Sequence, residues 1–217
     1  MHGLFNYDGV FVQTMNRIAD AICLSILWLI GSLPVFTIGA STTALYYAMN
    51  KCVRRGEGGI WKTFWQSFRA NFKQATGMWL ILLPVYGLLI ASCYSAWLMS
   101  AADNLPREMF YFLLVVLAFF FAWACFLFPY LARFQNTTKM IFKNCLGIAI
   151  LNFPMALLHP VYLLISILSI TLFPLMILCA PGIYMVLSCY TLEPVFRKYM
   201  SEEDREKEEA LLRDLEG

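Results

Sequence analysis

The chain has 217 residues, 60% of them hydrophobic and 14% charged, and its mean hydropathy is +0.66. Soluble domains are about 45–50% apolar and about 25% charged, so this composition excludes an ordinary soluble globule and points to the bilayer. The formal net charge of +2 is too small to mark a polyanion-binding protein, and the placement of the charges carries more than their sum.

In chain order, residues 4–15 (LFNYDGVFVQTM) come first. Their apolar positions fit either a short helix on the outer membrane face or an irregular lead-in. No basic segment precedes the first apolar run and no small-residue cleavage site follows it, so a cleaved signal peptide is not expected. Residues 21–50, 74–102, 109–132 and 144–192 contain no Asp, Glu, Lys or Arg. A spanning helix needs about 20 mainly apolar residues. The first span is placed at about 18–36, ending near Pro34. The second covers about 75–99 and the third about 109–132. The long run 144–192 is divided at His159-Pro160, because a residue before proline disfavours helix. That gives spans at about 141–158, kinked near Asn152–Pro154, and about 161–190, kinked or broken by Pro174 and Pro181. The expected fold is all-α: a polytopic membrane protein of about five transmembrane helices in one domain, residues 1–217.

Between the first two spans, residues 37–74 read as a helical hairpin. Ser41 or Thr42 is expected to cap its first helix. Lys51, Arg54 and Arg55 favour that helix's negative end, and Gly56 closes it before the turn Glu57-Gly58-Gly59. The second helix opens with IWKTFWQSFRANFKQAT, residues 60–76. At about 100° per residue, Trp61, Phe64, Trp65, Phe68 and Phe72 form one stripe, flanked by Lys62, Gln66, Arg69 and Lys73. An apolar face edged with bases is the pattern of a helix in the headgroup layer, attracted to anionic lipid. A partner-docking face has the same pattern. Nucleic acid is excluded as a partner, since it calls for separated aromatics on an exposed platform.

The tail SEEDREKEEALLRDLEG, within 200–217, holds eight acids and three bases. It reads as a solvated helix with i,i+4 pairs, either solubilising or docking onto basic loops. Fourteen of the 16 Lys and Arg residues fall in 37–74, 133–144 and the segment after 191; Arg17 and Arg107 lie on the other side. The positive-inside rule then puts the N-terminus outside and the C-terminus in the cytoplasm.

The seven cysteines form no CxxC pair and read as small apolar packing residues. His2 and His159 are the only histidines, so a metal centre is poorly supplied, and His159 reads as a turn residue. No catalytic motif is present, and no enzymatic activity or cofactor is expected. The candidate intramembrane polar residues are Asp20 and Asn152. Asp20 sits at a span end, where snorkelling or a bond to Arg17 or Asn16 accounts for it.

The segments GLFNYDG (3–9), NRIAD (16–20), GASTTALYYAMNK (39–51) and FWQSFRANFKQAT (64–76), with LEPVFRKY (192–199), resemble the YesL family of bacterial integral-membrane proteins. That resemblance implies a multi-pass protein of the Gram-positive cell membrane, encoded beside sugar-uptake and glycan-degradation genes, with no catalytic residues to transfer. The expected function is an accessory role in carbohydrate uptake of the ABC type, with permease or ATPase subunits as partners. A small stand-alone transporter or channel, and a membrane structural or assembly factor, are the alternatives.

Overall fold

The computed structural model describes residues 10–102, 106–134 and 136–200. These fold into seven α-helices, with no strand among the described residues. They are α1 (Val10–Gly31), α2 (Ile38–Ala48), α3 (Ile60–Ala101), α4 (Arg107–Arg133), α5 (Thr138–Leu151), α6 (Phe153–Leu172) and α7 (Ala180–Arg197). Short 3-10 turns, Val35–Thr37 and Pro174–Leu178, precede α2 and α7, and α2 widens into a π-helical turn over Met49–Arg54. The chain is an all-α, polytopic membrane protein. Of the lead-in at 4–15, residues 10–15 belong to α1 and 4–9 lie outside the described residues, as does the acidic tail 201–217.

Four helices are long and apolar enough to cross a membrane: Val12–Gly31 of α1, then α3, α4 and α6. The sequence suggested about five, and the difference lies in 144–192. The helix breaks at Asn152, not at His159-Pro160. Asn152 leaves helical geometry (φ −115°, ψ 41°), and its Nδ2 donates back to Ile148 O at 2.9 Å. Pro154 then starts α6, where its missing N–H costs nothing. His159 and Pro160 both lie inside α6, and His159 is fully buried. One proline within an apolar helix is tolerated when neighbouring helices satisfy the freed backbone group. A second break at 173–179, bounded by Pro174 and Pro181, separates α6 from α7. The run therefore yields one span-length helix between two shorter ones.

The centre of the bundle is α2. Gly39, Ala40, Ser41, Thr43, Ala44, Leu45, Tyr46 and Ala48 are all buried, and the helix touches α1, α3, α4 and α7. Its small residues let the neighbouring backbones come close, the usual basis of helix association in lipid. A Cβ on Gly39 would lie 2.7 Å from Ala75 O and 2.8 Å from a ring carbon of Phe128. Neither Ser41 nor Thr42 caps α2, because the 3-10 turn carries the helix start back to Ile38. Thr42 instead bonds Ile38 O at 2.7 Å and accepts from Trp28 Nε1 at 3.1 Å, tying α2 to α1.

From α2 the chain turns through Gly56 (φ 75°) and Gly58 (φ 76°), backbone angles that suit glycine. It then enters α3, which is antiparallel to α2: Trp79 Nε1 donates to Val35 O at 2.8 Å, and Gly39 abuts Ala75. The hairpin is thus formed, but its second arm does not stop at the membrane. α3 runs unbroken for 42 residues, about 63 Å at 1.5 Å per residue. That is about twice the ~30 Å hydrocarbon thickness. Its exposed large apolar residues, Trp61 apart, run from Leu80 to Met99, and its bases Lys62, Arg69 and Lys73 precede them. Residues 80–101 therefore carry the exposed apolar surface of α3, while 60–79 carry its bases. α4 returns along α3, with Tyr86 against Phe120 (5.6 Å) and Trp79 against Phe128 (6.2 Å). Exposed Tyr94, Trp97 and Tyr111 lie toward the far end of this pair, where an aromatic belt sits at the lipid–water boundary.

Gly39→Ala should destabilise the protein by about 1–3 kcal/mol through overpacking. Gly77→Ala, where a Cβ meets nothing within 4 Å, should be neutral or stabilising by a few tenths of a kcal/mol up to about 1. Thermal unfolding in detergent checks the pair; equal midpoints would show that the α2 contact is not tight.

Candidate functional site

Polar residues converge where the π turn, the end of α4 and the end of α7 meet. Glu193 of α7 is fully buried. Its Oε1 accepts from Tyr46 Oη at 2.8 Å, Asn50 Nδ2 at 2.7 Å and Arg133 Nη1 at 3.0 Å. Its Oε2 lies 2.7 Å from Arg133 Nη1 and 3.4 Å from Arg54 Nη1. Arg54 also donates to Asn50 Oδ1 at 3.0 Å, so the Asn50 amide is held at both ends. Tyr46, Asn50 and Arg54 follow one another at intervals of four residues and so share one helix face, the last two within the π turn. Such wide turns within helices often occur at functional sites.

Burying a carboxylate costs several kcal/mol, recovered only when charge-assisted bonds satisfy it. Glu193 meets that condition at Oε1, which takes three hydrogen bonds, while Oε2 is held by its ion-pair contacts with the two guanidinium groups. One turn further on, Phe196 is fully buried, edge-on to Tyr46, Phe126, Tyr130 and Phe134 at 6.0–6.4 Å. This ring cluster keeps water from the carboxylate on that flank. Burial, reinforced by the nearby Cys189 and Glu193, pushes the Tyr46 phenol well above its usual range, so it remains a donor. Tyr130 Oη in turn accepts from Asn136 and Asn144, both at 3.0 Å, fixing the α4–α5 turn.

Beside this network lies a cavity of about 380 Å³. Tyr46, Tyr47, Asn50, Lys51, Arg55, Glu57, Ala132, Arg133, Phe134 and Met200 line it. A second, mainly apolar groove lies between α1, the π turn and α7 and is lined by both Arg17 and Arg54, so Arg17 lies at the same end as the bases of the π turn and not on the opposite side, as the distribution of bases suggested. No group of three His, Cys, Asp or Glu able to hold a metal occurs among the described residues, and all seven cysteines are free.

The residues singled out from the sequence fall elsewhere. Trp61, Trp65, Phe68 and Phe72 do form one ladder, with ring centroids 6.2, 5.3 and 5.4 Å apart. Yet Phe64 is fully buried, and Trp65, Phe68 and Phe72 pack on the core. The stripe holds the first half of α3 to the bundle; Trp61 is 65% exposed, and Lys62, Arg69 and Lys73 stay on the surface. The segment is the first part of α3 and continues without a break into the stretch 75–99. Asp20 is half-buried within α1, and Asn152 sits at the α5–α6 break with its Nδ2 3.2 Å from Tyr199 Oη. Neither joins the Glu193 network. The sequence did hold one pointer to that network: Glu193 is the only acid between Glu108 and Glu202, directly after a long uncharged run.

Glu193→Ala leaves Arg133 buried without its counter-charge and should cost about 3–5 kcal/mol. Arg54→Ala, at the longer 3.4 Å contact and with its side chain 29% exposed, should cost about 1 kcal/mol or less. Unfolding midpoints of the purified variants test this; a Glu193→Ala protein as stable as the parent would remove the network from its structural role.

Residues 21–93 match the model of a family described as "Protein of unknown function, DUF624". No curated protein and no solved structure matches the chain. The matched stretch covers the second half of α1, α2, the π turn and most of α3. It contains Tyr46, Asn50 and Arg54 but neither Arg133 nor Glu193. On this stretch the chain is similar to a family without an assigned activity.

Proposed function

We propose that this chain is a non-enzymatic accessory subunit of a carbohydrate-uptake system of the ABC type, touching permease or ATPase subunits through the projecting half of α3. The observation that carries the docking part is the division of labour on residues 60–79. The aromatic stripe is used internally against the core, while Lys62, Arg69 and Lys73 form an exposed basic face before the exposed apolar length of the helix. A protein that needed α3 only as a span would require half its length. The concentration of Lys and Arg at this end supports a cytoplasmic position for it, with the C-terminus on the same side. The acidic tail is a second contact surface in this reading. The link to sugar uptake, and to the Gram-positive cell membrane, rests on the resemblance to the YesL family alone.

Mild-detergent purification from the native membrane should recover permease or ATPase subunits with the parent chain. The variant Lys62→Glu/Arg69→Glu/Lys73→Glu should lose them while keeping the parent's unfolding midpoint. A parent protein that comes out alone under several gentle conditions, with sugar uptake unchanged on deletion, would overturn the reading. Solute movement by the reconstituted chain alone would replace it with a stand-alone transporter.

A further inference from the structure

The groove between α1, the π turn and α7 has a volume of about 580 Å³, within the range of small-molecule sites, about 300–1,000 Å³. Its wall is apolar apart from Thr14, Arg17, Arg54 and Tyr190. The two arginines stand at one end of it. α1 and α2 run antiparallel, with Gly31 beside Ser41 and Trp28 bonded to Thr42. Arg17 precedes Trp28 by about as many residues as Arg54 follows Thr42, so both lie at one level, at the end of the helix pair. Ala21, Ile22 and Met49 lie nearer the middle of the pair, where Gly182 of α7 abuts Ala21.

Arg17 is the unusual member of this lining. It lies on the span-length stretch Val12–Gly31, where a charged side chain is costly unless it is paired. Among the described residues it makes no hydrogen bond or ion pair, not even with Asp20 three residues on. Asp20 does not line the groove, and no other carboxylate does. Arg54 is already paired with Glu193, so Arg17 supplies the uncompensated charge. Ile18, Ile183 and Tyr190 of the wall are exposed, and the medium that meets such a surface on a membrane protein is lipid. We infer that the groove binds an anionic phospholipid of the surrounding bilayer, with its phosphate on Arg17 and one acyl chain along the apolar wall of α7. The lining offers no carboxylate to an ammonium group, so a glycerol headgroup is favoured over choline. A lipid tail is as apolar as the wall itself; the headgroup therefore sets the preference and the groove supplies the fit. The site goes beyond the accessory-subunit reading and uses none of Lys62, Arg69 or Lys73.

The test uses the full chain in uncharged detergent, titrated with phosphatidylglycerol or with phosphatidylcholine of the same acyl chains. Native mass spectrometry counts the lipid that stays bound. Phosphatidylglycerol should be held about tenfold more tightly, the effect of one charge-assisted hydrogen bond. Arg17→Ala should abolish that preference. Lys62→Ala, an equal change in charge away from the groove, should leave it unchanged. Ile183→Trp, which fills the groove without altering charge, should weaken retention of phosphatidylglycerol. Arg17 and Ile183 are both exposed, so the variants keep their fold, which their unfolding midpoints verify. No retained lipid, no preference between the two lipids, equal losses from Arg17→Ala and Lys62→Ala, or full retention by Ile183→Trp overturns the proposal. A lipid-free dimer that Ile183→Trp dissociates also overturns it and gives the groove to a second copy of this chain. Lipid retained only after deletion of residues 1–9 overturns it in favour of that segment.

Discussion

The carboxylate of Glu193, enclosed between two guanidinium groups, is the contact on which the arrangement of the bundle depends. It joins three elements that are distant in sequence: the π turn after α2, the end of α4 and the end of α7. Helix packing in lipid has no hydrophobic drive between helices, so a strong, directional polar tie carries more of the specification than it would in water. An ion pair enclosed by Tyr46, Asn50 and the Phe196 ring cluster has one satisfactory geometry. Any slide of α7 along α4 would leave two or three buried donors without an acceptor. The network therefore sets the register of α7, which has neither the length nor the apolarity to be held by lipid alone.

Around that tie, residue size does the rest. The glycine, alanine, serine and threonine positions of α2 admit four neighbouring helices at close range, and Gly39 sits where α3 and α4 converge. Large aromatic side chains are then concentrated where two helices face each other across a wider gap, as in the Trp79–Phe128 and Tyr86–Phe120 contacts. The division explains why so apolar a chain forms one arrangement: small residues fix the separation of α2 from its neighbours, and rings fix how α3 and α4 mesh.

Much of this was legible beforehand, and the failures have specific causes. Charge-free runs located α1, α3, α4 and the long 144–192 segment, because the cost of a charge in hydrocarbon leaves a clear trace. The hairpin turn was readable from Gly56 and Gly58, whose positive φ few other residues adopt without strain. The stripe Trp61–Phe72 was readable as one helix face, and the structure packs most of it on the core. Helical periodicity reports that a face is apolar, and protein and lipid satisfy it equally. His159-Pro160 looked like a turn because local rules weigh proline heavily, whereas surrounding helices absorb a single missing amide and Asn152 with Pro154 provides a complete start signal. The Glu193 network was illegible for a different reason. Its members are spread from Tyr46 to Glu193, and no pattern in one sequence pairs an arginine with a glutamate sixty residues away.

The unbroken course of α3 has a mechanical consequence. The two halves of α3 belong to one helix, whose hydrogen-bond ladder lacks a single donor at Pro84. Trp79 lies near the point where the basic and the apolar halves of the helix meet. A tilt of about 10° in the bilayer carries the tip of a ~30 Å arm sideways by about 5 Å. Through Gly39 and the aromatic ladder, α2 and the π turn travel with it.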